Sequence, residues 1–158
     1  MLINTEALKA KLEGARVFER PLSVPVCVLD TNIILDLFLF KDAKVQPLAL
    51  AIHEGKILPV GHFDTFAELA DVISRSQFHL TQKEQDEVLD LWVRSHLLIQ
   101  DPLEKKSFCK DPDDDKFFNL ACLAKAAYLI SKDKKVLKAR GKLKTCGCCV
   151  ILPEKFSA

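Results

Sequence analysis

The chain has 158 residues, of which 49% are hydrophobic and 28% charged, and its formal net charge is +1. These values are ordinary for a globular protein with a sizeable core, and they exclude a polycation. No apolar run approaches the roughly 18 residues that a membrane span needs. Because the beginning of the chain lacks a basic stretch followed by an apolar one, we expect a cytoplasmic protein.

The first 24 residues are predicted to form a helical extension of a main domain that comprises residues 25–158. Residues 5–17 have helical spacing of apolar side chains. Pro21 and Pro25 then bracket an extended approach to the first strand. We expect the helix to dock on the domain, and a partner-binding arm is the alternative.

Five short apolar stretches are predicted to be strands, at residues 26–30, 57–60, 97–99, 127–131 and 148–152. Helical spacing of apolar residues predicts helices at 32–40, 43–54, 62–75, 81–92, from about 113 onward and at 134–139. Strands that alternate with helices are typical of a parallel sheet covered on both faces. The predicted fold is therefore α/β, with three layers and a central parallel sheet of four to five strands.

The six cysteines are at positions 27, 109, 122, 146, 148 and 149. We expect reduced thiols, because the chain is neither very small nor evidently exported. Cys146 and Cys149 have the spacing of a zinc-binding pair, but no second pair accompanies them. A metal site there is the less favoured alternative.

Acidic residues follow two of the predicted strands. Asp30, with Thr31 and Asn32, ends the first strand, and Asp133 stands just beyond the fourth. In an open parallel sheet, active sites lie beyond the carboxyl ends of the strands. Asp30 is therefore a candidate active-site acid, and the alternative is that it only caps the helix that follows.

Two further acids, Glu68 and one of residues 113–115, fall on predicted helices. A lone Glu on a helix usually faces solvent, which is the alternative for Glu68. If the first and fourth strands are neighbours, Asp30 and Asp133 share one crevice. Clustered carboxylates need a counter-charge, and ligands that are oxygen only favour Mg²⁺ or Mn²⁺ over zinc.

Carboxylate-held Mg²⁺ suits the attack of a metal-activated water on a phosphodiester. Thr31, Asn32 and Ser131 would be nearby polar groups. The stretch 132–144 is rich in lysine, and such a stretch beside an acidic site can attract a phosphate chain. The sequence shows no Ser/His or Cys/His pairing and no glycine-rich phosphate loop that would favour another chemistry.

Motifs in order along the chain resemble those of PIN-domain proteins, in particular the VapC-like toxins of toxin–antitoxin systems. They are Val28-Leu29-Asp30-Thr31-Asn32, Thr65-Phe66-Ala67-Glu68-Leu69, Asp111-Pro112-Asp113-Asp114-Asp115-Lys116-Phe117 and Tyr128-Leu129-Ile130-Ser131-Lys132-Asp133, and the closing Ile151-Leu152-Pro153-Glu154-Lys155-Phe156 also fits. The resemblance extends from about residue 24 to the end. The chain departs from the family at Ser131-Lys132, where a Thr followed by Gly or Arg is more usual.

The resemblance implies a PIN-like three-layer fold and a metal-dependent ribonuclease. Its catalytic and metal-binding quartet would be Asp30, Glu68, Asp115 and Asp133, supported by Thr31, Asn32, Ser131 and Lys132. Asp115 is preferred over Asp114 because of its spacing from the last acid and because it lies at helical spacing from Asn119. Asp114 is a further candidate ligand.

The resemblance also implies RNA as substrate, Mg²⁺ or Mn²⁺ as cofactor, a homodimer or higher homo-oligomer, and an antitoxin protein that covers the acidic groove. No membrane is expected, because the sequence has no sufficiently long apolar run. The main alternative is a catalytically silent PIN-fold module that binds RNA or protein. A phosphatase of the haloacid dehalogenase type is disfavoured because it needs an acid where Asn32 stands. A phosphorelay receiver domain is disfavoured because the acids fall at the wrong strands.

Overall fold

A computed structural model describes residues 4–20 and 22–157. The strands of the described part are β1 Arg16–Val17, β2 Val26–Leu29, β3 Leu58–Gly61, β4 Leu97–Leu98, β5 Tyr128–Ile130 and β6 Cys149–Ile151. The α-helices are α1 Thr5–Leu12, α2 Thr31–Leu35, α3 Gln46–His53, α4 Phe63–Ile73, α5 Gln82–Ser95, α6 Asp115–Ala124 and α7 Lys134–Lys138. The extended approach that was predicted at Pro21 lies outside the described residues. None of these helices is long and apolar enough to cross a bilayer.

The six strands form one parallel sheet in the order β1-β4-β3-β2-β5-β6. All four residues of the central strand β2 are buried, as expected for a strand that is covered on both faces. Side chains alternate across the sheet: Cys27 and Leu29 join the core on one face, and Val26 and Val28 join the core on the other. Helices α1–α5 supply the first core, and α6 and α7 supply the second. The predicted α/β/α fold is confirmed.

The sheet has one strand more than predicted, and the additional strand comes from the N-terminal segment. Helix α1 buries Leu8 and Leu12 in the core shared with α4 and α5. The chain then adds β1 beside β4, with Arg16 in register with Leu97. Both β1 residues are exposed, so no alternation of apolar and polar side chains marked this strand in the sequence. The proposed domain boundary after residue 24 stays a prediction.

Two predicted helices differ in form from the prediction. The helix predicted at 32–40 is α2 followed by a π-helical turn, Asp36–Phe40, which ends at Lys41 in the left-handed conformation. The helix predicted near 113 starts with a 3₁₀ turn, Pro112–Asp114, before α6 begins. This change of winding lies within the acidic stretch and therefore affects where its carboxylates point.

The expectation of reduced thiols is wrong for one pair of cysteines. Cys122 of α6 and Cys146, at the end of a 3₁₀ segment that packs on α6, are joined as a disulfide with their Cα atoms 5.5 Å apart. Their separation by 24 positions gave no sequence signal for this pairing. Because the sulfur of Cys146 is bonded to Cys122 and the side chain of Cys149 is exposed, these two cysteines do not form the metal-binding pair that was the alternative from the sequence.

Gly61, the last residue of β3, lies directly against the indole of Trp92, which is fully buried. A Cβ atom at this position would overlap the indole ring. We expect Gly61→Ala to cost about 3 kcal/mol of unfolding free energy, because a packed core does not absorb an added methyl group. Urea denaturation measures this.

The matched control is Gly141→Ala, since a Cβ there meets nothing within 4 Å. We expect the control to change the unfolding free energy by less than about 0.5 kcal/mol. Equal stabilities of the two variants would contradict the packing described here.

Candidate active site

The carboxyl ends of β2 and β5 bring two polar side chains together. Leu29 and Ile130 are in register as neighbours, so the residues that follow them, Asp30 and Ser131, lie side by side. Ser131 Oγ donates a hydrogen bond of 2.6 Å to Asp30 Oδ2. The condition that the sequence left open, that the first and fourth predicted strands are neighbours, is met.

Asp30 is almost completely buried, with 5% of its surface exposed. Its other oxygen, Oδ1, accepts the Thr31 amide hydrogen at 2.7 Å, so Asp30 also caps α2. Burial raises the pKa of Asp30 from 3.8 to about 6, and the charges of Glu68 and Asp133 add to this. The hydrogen bonds from Ser131 and Thr31 act in the opposite direction. Asp30 therefore both caps α2 and lies directly beyond the carboxyl end of β2.

Asp133 is linked to Asp30 through the same serine. Ser131 Oγ accepts the backbone amide hydrogen of Asp133 at 3.0 Å. Asp133 Oδ1 in turn accepts the Lys135 amide hydrogen at 2.8 Å and caps α7. Ser131 is fully buried, and its hydroxyl group fixes the positions of both Asp30 and Asp133 through these hydrogen bonds.

Glu68 reaches the site from α4 and does not simply face solvent. Its Oε2 accepts a hydrogen bond of 2.5 Å from Thr31 Oγ1, and its Oε1 lies 2.8 Å from Lys116 Nζ. Helix α4 starts directly after β3, with a capping box between His62 and Thr65, and this start aims Glu68 at the strand ends. Sequence reasoning missed Lys116, for which a cation directly after an acidic run was the only signal.

Asp114 is the acid of the 111–115 stretch that joins the others. The pKa of Asp114 is raised from 3.8 to about 7. Burial is the largest cause, and the charges of Asp30, Asp133, Asp111 and Glu68 raise the pKa further. Carboxylates influence one another in this way only when they are close. We call Asp30, Glu68, Asp114 and Asp133 the acidic cluster.

Asp115, which was preferred from the sequence, is turned toward a loop. Its Oδ1 accepts the backbone amide hydrogens of Phe108 and Cys109 at 2.9 and 2.8 Å. It does lie one helical turn from Asn119, as predicted, but that face of α6 meets the loop and not the acidic cluster. The geometry therefore favours Asp114 as the fourth acid.

Two other predicted support residues have different environments. The buried Oδ1 of Asn32 has no hydrogen-bond partner among residues 4–20 and 22–157. Lys132 Nζ lies 2.6 Å from Oδ2 of Asp36, a buried acid at the start of the π-helical turn. The charge of Lys132 is therefore largely neutralised by Asp36, a partner that sequence reasoning did not identify.

Beyond Asp133 the surface is basic. We call this surface the basic strip; its members, all exposed, are Lys134, Lys135, Lys138, Arg140, Lys142 and Lys144. None of them forms an ion pair within the described part of the chain. Unpaired cations beside a cluster of acids are suited to hold a polyanion next to those acids.

The raised pKa values make the stability of the metal-free protein depend on pH. The folded state holds the protons of Asp30 and Asp114 more tightly than the unfolded chain does. This stability is fully present below about pH 4 and is lost as the pH rises through about 6 to 7. For buried Asp30 we expect a loss of about 2 kcal/mol, and less for Asp114, which is partly exposed to solvent.

Urea denaturation in chelator-containing buffer, at steps from about pH 4.5 to about pH 8, measures this loss. Asp30→Asn cannot ionise and should flatten the pH profile. A variant profile as steep as that of the wild type would show that Asp30 is not the group responsible.

A family model of the PIN domain matches residues 26–135. The matched range contains β2 to β5 and every member of the acidic cluster. No curated protein matches the chain. PIN domains are generally nucleases, which agrees with acids gathered at strand ends beside a basic surface. With a match over more than half of its length and the α/β/α fold in place, the chain belongs to the PIN-domain family.

Proposed function

We propose that the protein is a metal-dependent endoribonuclease that hydrolyses phosphodiester bonds of RNA with a metal-activated water. The observation that carries the proposal is the acidic cluster. Four carboxylates, from the end of β2, α4, the 3₁₀ turn before α6 and the end of β5, lie near the carboxyl ends of the strands, and the charges of Glu68 and Asp133 oppose the ionisation of Asp30 and Asp114. An arrangement that costs stability without a cation is one that a bound cation can relieve.

The donors of the acidic cluster fit Mg²⁺ or Mn²⁺ in chemistry, because all of them are carboxylate oxygens. No three His, Cys, Asp or Glu side chains of the described residues stand, as they are, in a group that could hold a metal ion. The fit therefore rests on donor type, on charge and on the unpartnered oxygen of Asn32. Asp30, Glu68, Asp114 and Asp133 would hold the ion, which when bound would polarise the scissile phosphate and the attacking water.

The neighbouring side chains keep the carboxylates oriented. Ser131 holds Asp30, and Thr31 and Lys116 each hold one oxygen of Glu68. Oriented groups of this kind need little rearrangement when charge develops in a transition state. The basic strip would bind the phosphates of the RNA strand through its exposed cations. RNA rather than DNA is the proposed substrate because of the resemblance to VapC-like toxins.

That resemblance also supports a role as the toxin of a toxin–antitoxin pair. In this proposal an antitoxin protein covers the acidic cluster, and the protein forms a homodimer or higher homo-oligomer. The side chains of Phe40 and Leu50, each 58% exposed, would be available to a contact between copies. A cytoplasmic location belongs to the same proposal.

Removing one carboxylate of the acidic cluster tests the activity. We expect Asp30→Asn and Asp114→Asn each to reduce kcat on RNA by at least about 100-fold, because polarisation by the ion is worth several kcal/mol. A thermal-shift titration with Mn²⁺ should raise the Tm of the wild type and not that of either variant. The matched control is Asp71→Asn on α4, whose carboxylate is half exposed and pairs with Arg75.

One observation favours the silent RNA- or protein-binding module as a second candidate. Lys116 already places a positive charge 2.8 Å from Glu68, so part of the carboxylate repulsion is compensated without a metal. A wild type that binds RNA, gains no stability from Mn²⁺ and cuts neither RNA nor DNA would establish this second function. Cleavage of DNA alone would keep the chemistry and overturn the substrate.

A further inference from the structure

A loop that joins β4 to the 3₁₀ turn is held in place by side chains of α6. Residues 99–111 contain neither helix nor strand. Asp115 accepts hydrogen bonds from two consecutive amides of this loop, Phe108 and Cys109. Asn119, one helical turn later and buried, accepts the Lys106 amide hydrogen at 3.3 Å and donates to the Lys106 carbonyl oxygen at 3.0 Å.

Asn119 thus pairs with both backbone groups of one loop residue, as a neighbouring strand would. The apolar side chains of the loop add a second attachment. Leu103 and Phe108 pack on the core beneath α6, and the Phe108 ring stacks on Phe118 with centroids 5.4 Å apart. The loop is therefore fixed at three points and its exposed residues are presented in a defined position.

The loop, α6 and the start of α4 border an open pocket of about 330 Å³. Its walls include Asp64 at the start of α4, Glu104 and Lys105 on the loop, and Lys116. Lys116 also contacts Glu68, so the pocket adjoins the acidic cluster through a shared side chain. Its volume is within the range of sites that take small ligands.

We propose that this pocket is a subsite for one nucleotide of a single-stranded RNA substrate, next to the bond that is cut, and that Asp115 and Asn119 are positioning residues that hold its outer wall. The inference rests on the proposed ribonuclease function. Lys105 and Lys116 supply donors for a phosphate, while Asp64 and Glu104 supply acceptors for exocyclic amino groups or a ribose hydroxyl.

A pair of variants separates this role from catalysis. The side chain of Asp115→Asn keeps an oxygen that can accept the two loop amides, whereas Asp115→Ala has none. A positioning role therefore tolerates Asn, while a metal-binding role needs the negative charge and does not. We expect Asp115→Ala to raise KM about tenfold with kcat nearly unchanged, and Asp115→Asn, which keeps an acceptor for the loop amides, to restore most of this loss.

Hydrogen exchange gives a readout that does not depend on activity. The amides of Phe108 and Cys109 should exchange about tenfold faster or more in Asp115→Ala, but not in Asp115→Asn or Asp114→Asn. Loss of kcat in Asp115→Asn equal to that in Asp114→Asn would overturn the inference and place Asp115 in the catalytic cluster. Faster exchange with unchanged KM would overturn the subsite.

Binding keeps the inference distinguishable from the proposed activity. Fluorescence anisotropy with a labelled single-stranded RNA of mixed sequence is measured for the wild type, Asp115→Ala and Lys105→Ala. We expect weaker binding by about threefold to tenfold in both variants, whether or not the wild type cuts RNA. The matched control is Lys56→Ala, since Lys56 precedes β3 and therefore lies at the amino ends of the strands, opposite to the acidic cluster. Binding equal to the wild type in both variants, or no binding by the wild type, would overturn the inference.

Discussion

The register between β2 and β5 is the constraint on which the acidic cluster depends. Both strands lie in the middle of the sheet, and their apolar side chains pack into two separate cores, one on each face. A shift of one residue would move every side chain to the opposite face, so the packing of both cores holds the register. Asp30 and Ser131 follow in-register residues and therefore meet. The core, and not the hydrogen bond, determines this meeting.

The carboxylates gathered in this way raise the free energy of the folded protein, and the neighbouring groups compensate only in part. Ser131 and Thr31 donate hydrogen bonds that favour the ionised form of Asp30, yet burial outweighs them and its pKa stays raised. Glu68 accepts one hydrogen bond from the hydroxyl group of Thr31 and one from the ammonium group of Lys116. A carboxylate whose charge is only partly compensated, as at Asp30, is typical of sites that are shaped for a ligand rather than for stability.

Two consecutive acids in the chain, Asp114 and Asp115, have different surroundings because of helix geometry. Successive side chains on a helix point about 100° apart, so adjacent carboxylates point in different directions. The change from a 3₁₀ turn to α6 directs Asp114 to the acidic cluster and Asp115 to the loop. Asn119 then lies on the same side as Asp115 and extends its contact with the loop.

The sequence by itself determined the alternation of strands and helices, the three-layer class, and the acids at the ends of β2 and β5. These features depend on local patterns: buried strands are short apolar runs, and helices show a period of 3.6 residues. Only the tertiary structure decided the different surroundings of Asp114 and Asp115, the pairing of Lys116 with Glu68, the strand β1 and the disulfide of Cys122. Each of these depends on which distant surfaces meet, and the order of strands in the sheet determines those contacts without leaving a local pattern in the chain.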